Sequence, residues 1–271
     1  MKITEPGYIL PLVQALQPHE LLPDSANTPQ IIRGIVTQTG EKNDFVVKYI
    51  RSGRMSPESA MNELVAAFIA KEWGMPVPEP AIITITPEFV ELTKGTIAYS
   101  LASKSIGLNV GSQLIIGVSI VSPSLPLNKS EKEFAKDILL FDLFIQTSDR
   151  STIKPNILAI GGTLYPIDHE ISFGFTRELP FLSNLEPWNI RPSDHKWINC
   201  NILVNMLKGE NFDFHKLSQN MGRLNDNFWD KANELVPDGW KGDKFLMIKD
   251  YLSAIIQHKN KFIEKIKPIL L

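Results

Sequence analysis

Residues 141–175 read FDLFIQTSDRSTIKPNILAIGGTLYPIDHEISFGF, and the rest of the chain is organised around them. The stretch carries Asp149, Asn156 and Asp168, two acids and an amide, as polar interruptions of apolar runs. Just upstream, EKEFAKDILLFDLFIQ is apolar at Phe134, Ile138, Phe141, Leu143 and Ile145. That spacing predicts a helix that becomes buried towards its end and stops at TSDR. Asn156 leads into ILAI, Gly161 and Gly162 predict a two-residue hairpin turn, and LYPID returns as a strand that delivers Asp168 at its end. The predicted order is helix, acidic loop, hairpin, acid.

A base, a neutral oxygen ligand and a second carboxylate on neighbouring loops are the parts that phosphoryl transfer to a hydroxyl needs. Magnesium takes hard oxygen ligands, usually one or two carboxylates, with phosphates and water completing its shell. Asp and Asn also cap ordinary turns, and each of these residues taken singly has that explanation. Their order, with the strand signals upstream of them, favours the site.

The chain has 271 residues, 43% of them hydrophobic, which suffices for one large domain or two lobes. Its 28 basic and 30 acidic residues nearly balance, so no bulk positive field advertises nucleic-acid binding. Cys200 is the single cysteine, which excludes an intrachain disulfide and gives no support to a thiolate zinc site. The N-terminus lacks the apolar core of a signal peptide, and LIIGVSIV is too short to span a bilayer. A soluble, cytoplasmic protein is expected.

Towards the N-terminus, IIRGIV and DFVVKYI are β-branched runs joined by TQTGEKN. Lys48 lies inside the second, where a side chain turned inward requires a partner for its charge. SPESAMNELVAAFIAKEWG then places Met61, Leu64, Val65, Phe68 and Ile69 on one helical stripe, with Ser56 and Pro57 as start signals and Gly74 as the stop. Glu63 lies beside that stripe, where its carboxylate can turn towards Lys48. AIITI and GTIAYSLAS are expected as further strands, and the Pro-interrupted first thirty residues as a covering on the outside. Beyond Ser103 the composition shifts to Gly, Ser and Pro in GLNVGSQLIIGVSIVSPSLPLNKS, which marks a junction between residues 1–103 and 104–271. After Phe175 the chain is helical; Trp188, Trp197, Trp229 and Trp240 are expected in the core, and Asp194 with His195 as an ordinary satisfied pair.

With Lys48, Glu63, Asp149, Asn156 and Asp168 in this order, the chain resembles the protein-kinase-like superfamily, and most closely the HipA-like kinases. FVVKYI, NELVAAFIAKEWGMPVPEP, GLNVGSQ and SDRSTIKPNIL followed by YPIDHE carry the resemblance, over roughly residues 30 to 175. It implies an α+β, bilobal protein-kinase-like fold: a small β-rich N-terminal lobe with one main helix, and a larger, mostly helical C-terminal lobe. It further implies that Lys48 contacts nucleotide phosphates, Glu63 holds Lys48, Asp149 is the catalytic base, and Asn156 and Asp168 bind metal. The implied activity is ATP- and Mg2+-dependent phosphoryl transfer, with a protein Ser/Thr hydroxyl as acceptor ahead of a small molecule. HipA-type toxins work with a DNA-binding partner, so a regulatory partner protein fits, while no direct nucleic-acid or membrane contact is expected. A pseudokinase serving as an interaction module, or the same fold transferring AMP, are the alternatives.

The chain also departs from the family's pattern. Thr147 and Ser148 stand before Asp149 where protein kinases usually carry His and Arg, and the interval from Asp149 to Asn156 is longer than theirs. His169 and Glu170 follow Asp168 in place of Phe and Gly, and the loop after IIRGIV has only Gly40 where a glycine-rich phosphate cover would lie.

Overall fold

Strands β1 (Leu12–Leu21), β2 (Gln30–Val36), β3 (Lys42–Lys48), β4 (Pro80–Ile85) and β5 (Gly107–Gln113) close a barrel in the order β1-β2-β3-β5-β4. The structure is a computed structural model, and it describes residues 1–22, 27–178 and 186–270. Neighbouring strands are antiparallel except β1 and β4, which run parallel and seal the barrel. Alternate residues point to opposite faces of a strand. Ile32, Phe45, Val47 and Ile83 thus fill the interior, while Ile31, Val46 and Lys48 face the other way. A β-carbon at Gly111 would overlap the Val46 carbonyl and the Ile83 side chain, so this glycine lets β5 close tightly on β3 and β4.

Two expectations for this region are corrected. The described residues among the first thirty do not form an outer covering: β1 is a wall of the barrel, and Ile3, Tyr8 and Leu10 enter the main core. GTIAYSLAS is not a strand. It forms the short helix α3 (Ala98–Ala102), preceded by α2 (Pro87–Leu92), and Ala98 and Ala102 are buried four residues apart on one helical face. The Gly- and Ser-containing GLNVGSQ is itself strand β5, so the barrel extends past Ser103.

Helix α1 (Pro57–Glu72) starts at Ser56, whose Oγ accepts the Ser59 N–H at 3.0 Å. Gly74 follows its end with φ +73°, a conformation that favours glycine. The expected stripe is buried, but so are Ala60, Ala66 and Ala70, because α1 is wedged between β5 and the long helix α9 (Asp238–Gln257). A helix whose apolar residues reach well beyond a single stripe suits such a sandwiched place.

Helix α4 (Lys129–Ile145) begins in a capping box between Asn128 and Glu131 and sinks into the core along Ile138, Phe141 and Phe144. Strands β6 (Ser119–Ile120), β7 (Ile157–Ile160) and β8 (Thr163–Pro166) make a second small sheet. Gly161 and Gly162, at φ 56° and 79°, turn β7 into β8 as the sequence predicts. Helices α5 (Asp194–Cys200), α6 (Ile202–Met206), α7 (Phe214–Gly222), α8 (Asp226–Leu235), α9 and α10 (Lys259–Leu270) complete the chain. Trp229 and Trp240 are buried there, with Trp188 and Trp197 packed on the same core.

Candidate active site

A cleft of about 530 Å³ runs between the outer face of the barrel and the β7–β8 hairpin. Ile31, Val46 and Val110 line it from the barrel, Leu158 and Ile167 from the hairpin side. Lys48, Glu63, Asn156 and Asp168 line its polar part. Lys48 reaches it because it stands two residues after Val46 on one strand, and Glu63 because it precedes Ala67, another lining residue, by one helical turn.

Lys48 Nζ lies 3.1 Å from Glu63 Oε1, 2.8 Å from Asp168 Oδ1 and 3.6 Å from Glu170 Oε2. Burial works against the charge on Lys48, but the attraction of Asp168, Glu63 and Glu170 outweighs it and raises its pKa. Burial raises the Glu63 carboxyl despite Lys48. It opposes ionisation of Asp168 too, yet there the adjacent ammonium prevails and the pKa falls. Glu170 is pushed up to about 7, by burial first and then by the neighbouring Asp168 and Glu63 charges. Asn27 donates to the Glu170 carboxylate, and Asn62 of α1 donates to the Glu170 carbonyl at 3.1 Å. The peptide after Asp168 is thus tied to the barrel loops and to α1.

Asn156 and Asp168 flank the hairpin, and both adopt left-handed backbone conformations, φ 51° and 62°. Asn and Asp enter that region more readily than other non-glycine residues, and a tightly determined site is where it recurs. Asn156 Nδ2 donates to the Asp149 carbonyl at 2.7 Å and to Asp149 Oδ2 at 3.3 Å, which fixes the amide. Asn156 Oδ1 and Asp168 Oδ2 accept no hydrogen bond from any described residue. One neutral and one anionic oxygen are thereby left at the cleft, a donor set that fits magnesium. Among the described residues no three His, Cys, Asp or Glu side chains form a metal cage, so such an ion would need its other ligands from phosphate and water.

Asp149 is half-buried, and its carboxyl lies above the ordinary aspartate range through burial and then the charge of Asp168. The next residue, Arg150, is fully buried and gathers the loops. Its Nε donates to Asp142 Oδ2 at 2.6 Å, its Nη1 to the Asn156 carbonyl at 2.5 Å and the Ile167 carbonyl at 3.4 Å, and its Nη2 meets His169 Nε2 at 2.9 Å. Asn201 Nδ2 donates to the same Asp142 oxygen at 2.8 Å. Burial first, then the charges of Arg150 and Lys48, lowers the His169 pKa, so its ring is neutral and Nε2 is the acceptor.

The structure therefore brings Lys48, Glu63 and Asp168 into one contact at the cleft and Asp149 and Asn156 into another; Asn156 lines the cleft, whereas Asp149 stands behind it and is joined to it through the Asn156 amide. Sequence reasoning missed the supporting residues Asp142, Arg150, Asn201 and Asn27, and assigned no role to Glu170. Asp142 left a signal, a lone acid between Phe141 and Leu143 in the apolar half of a helix. Asn201 left none, since its partner is distant in sequence.

A family model described as HipA-like kinase matches residues 36–245, from the end of β2 into α9, a span that contains all five polar residues. The chain belongs to the HipA-like kinase family. No curated protein matches it closely enough to count as a relative. Membership of the HipA-like kinases brings the expectation of kinase-type phosphotransfer, and this member is a mixed α+β chain with its β-rich part at the N-terminus. No described helix of it is long and apolar enough to cross a membrane.

Proposed function

We propose that this HipA-like kinase is an ATP- and magnesium-dependent phosphotransferase with a bilobal protein-kinase-like architecture, acting on a protein serine or threonine. The two lobes meet at the cleft and divide where the sequence changes character near Ser103, with β5 kept on the barrel side. A reducing, cytoplasmic setting suits the single, exposed Cys200.

The observation that carries the reading is the cleft's division into an apolar slot and a charged end where Lys48, Glu63 and Asp168 meet. A flat base suits the slot, and a phosphate chain suits the cation. Lys48 neutralises the inner phosphates, with Glu63 holding it in place. Asn156 and Asp168 would hold magnesium, which would supply positive charge to the phosphate oxygens. Asp149 takes the proton of the acceptor hydroxyl as its oxygen forms a bond to the γ-phosphorus. The bond from that phosphorus to the β–γ bridging oxygen breaks, and its electron pair leaves with ADP.

Incubation of the full chain with magnesium, candidate acceptor proteins and ATP labelled at the γ or the α position tests this. Covalent γ-label is the expected result. Covalent α-label would point to AMP transfer instead, and no label on any acceptor or on the chain itself would count for a pseudokinase.

A further inference from the structure

Glu170 is the third carboxylate beside Lys48, and the proposed reaction gives it no task. Its side chain is buried, with Oε2 at 3.6 Å from Lys48 Nζ. It is held there from several sides. The amide of Asn27, three residues before β2, donates to its carboxylate, and Asn27 Oδ1 in turn accepts the Arg54 N–H at 3.1 Å. Behind the side chain, the Glu170 carbonyl accepts from Asn62 Nδ2 at 3.1 Å, so α1 fixes the backbone that carries the carboxylate. Asn27 and Asn62 are both buried, which makes this a built contact between the barrel, α1 and the peptide after Asp168, unlike a chance approach of surface charges.

An ammonium has three N–H donors and no acceptor. Lys48 Nζ is surrounded by three carboxylates, Asp168 at 2.8 Å, Glu63 at 3.1 Å and Glu170 at 3.6 Å. A phosphate that reaches Lys48 therefore takes a place that a carboxylate holds. The three are not equally replaceable. Asp168 makes the shortest contact, and Glu63 is anchored a second time by the His169 N–H. Glu170 is the most distant of them, and it keeps the Asn27 amide as a partner when Lys48 turns away. Phosphate and carboxylate beside one withdrawn cation also repel each other more strongly than they would in water.

We propose that Glu170 is a selectivity residue of the nucleotide site: its carboxylate competes with a ligand's phosphate for Lys48, and so lowers the affinity of the cleft for anionic ligands but not for uncharged ones. The proposal rests on the nucleotide reading above. Phosphate displaces Glu170 from Lys48, and the carboxylate stays with Asn27. Product release limits many enzymes, and a carboxylate that returns to Lys48 as the diphosphate departs eases that step.

Calorimetric titration of the full chain with adenosine, ADP or a non-hydrolysable ATP analogue, in magnesium at pH 8, above the Glu170 value of about 7, tests this. Glu170→Gln keeps the size of the side chain and an acceptor for Asn27 but removes the charge. It is expected to bind ADP and the analogue roughly 5–20-fold more tightly, while adenosine, which carries no phosphate, stays within about twofold of the parent. Glu170→Ala should tighten both nucleotides too, and thermal melts run beside the titrations show whether each variant is folded; if one is not, the other carries the test. Unchanged nucleotide affinity overturns the proposal. Weaker nucleotide binding also overturns it, and makes Glu170 a support of the bound phosphates or their metal. Equal tightening of all three ligands overturns it as well, since charge would then not be the cause. Failure of parent and variants to bind any of the three overturns the nucleotide reading itself, and this proposal with it.

Discussion

Glu63 is held from two directions: Lys48 lies 3.1 Å from its Oε1, and His169 donates a backbone N–H to its Oε2 at 2.6 Å. One carboxylate therefore joins α1 to the strand lysine and to the peptide that follows Asp168. Glu63→Gln keeps an acceptor for the His169 N–H but loses the charge; Glu63→Ala loses both. Both variants should bind magnesium-nucleotide more weakly. The Ala variant should also be less stable by about 1–3 kcal/mol more, the cost of an unsatisfied buried N–H. Denaturant titrations that rank the two variants equal would remove the His169 contact from the account.

Asp149 makes its side-chain hydrogen bond to Asn156 and faces the acceptor side of the site in the proposed reaction. Asp149→Asn preserves size and hydrogen bonding but removes the basic oxygen. Turnover should fall on the order of 10²–10⁴-fold, with nucleotide affinity nearly intact and the melting temperature little changed. Phosphoryl transfer at the parental rate by the folded variant would exclude Asp149 as the base.

The Arg150–Asp142 pair is wholly withdrawn from solvent. Removing only Arg150, as in Arg150→Met, strands a buried carboxylate and should cost about 3–5 kcal/mol. The double variant Asp142→Leu with Arg150→Met should recover part of that loss, because neither charge is then left alone. Nucleotide-dependent activity should not recover with it, since the carbonyls of Asn156 and Ile167 have lost their shared donor. A double variant that regained full activity would reduce Arg150 to a stability element.

His169 supplies the pH test. Burial first, then the Arg150 and Lys48 charges, sets its folded pKa well below the ordinary histidine value of about 6.5. An unfolded chain takes up a proton near pH 6.5 that the folded chain refuses. Its contribution is thus complete above pH 6.5 and is lost as pH falls below that value towards the folded pKa, by at most about 1.4 kcal/mol per unit. His169→Gln offers Arg150 a non-titrating acceptor, and its stability between pH 5 and 6.5 should fall less steeply than the parent's. Parallel pH profiles would show that His169 does not set the slope.

Much of the geometry of this candidate site was legible because most of its side chains sit on strong local patterns. Lys48 lies in an alternating strand, Glu63 on a capped helix, and Asn156 and Asp168 at the ends of a hairpin with a two-glycine turn. What escaped was built by tertiary contact. β1 presents only Val13 and Ala15 to the barrel interior and carries Pro18, too thin a pattern to announce a strand, and its place depends on pairing with β2 and β4. α3 was missed because Thr, Ile and Tyr suggested a strand, while the spacing of Ala98 and Ala102 carried the helical signal. The glycines of β5 suggested a connection, whereas Gly111 is there because the barrel leaves no room for a β-carbon.

The hairpin has a bearing on how such a chain can change over generations. Its two ends meet in the hydrogen bond from Ile167 N–H to the Asn156 carbonyl, and the Arg150 guanidinium reaches the carbonyls of both residues. The separation of Asn156 and Asp168 is therefore set inside the β7–β8 ladder and by one buried side chain, without reference to residues 151–155. That turn can lengthen, shorten or exchange its tip, Ile153 included, while the paired oxygens stay where they are. Variation in what the loop touches is thereby uncoupled from the spacing of Asn156 and Asp168, which leaves a lineage free to alter the exposed tip without moving those two residues.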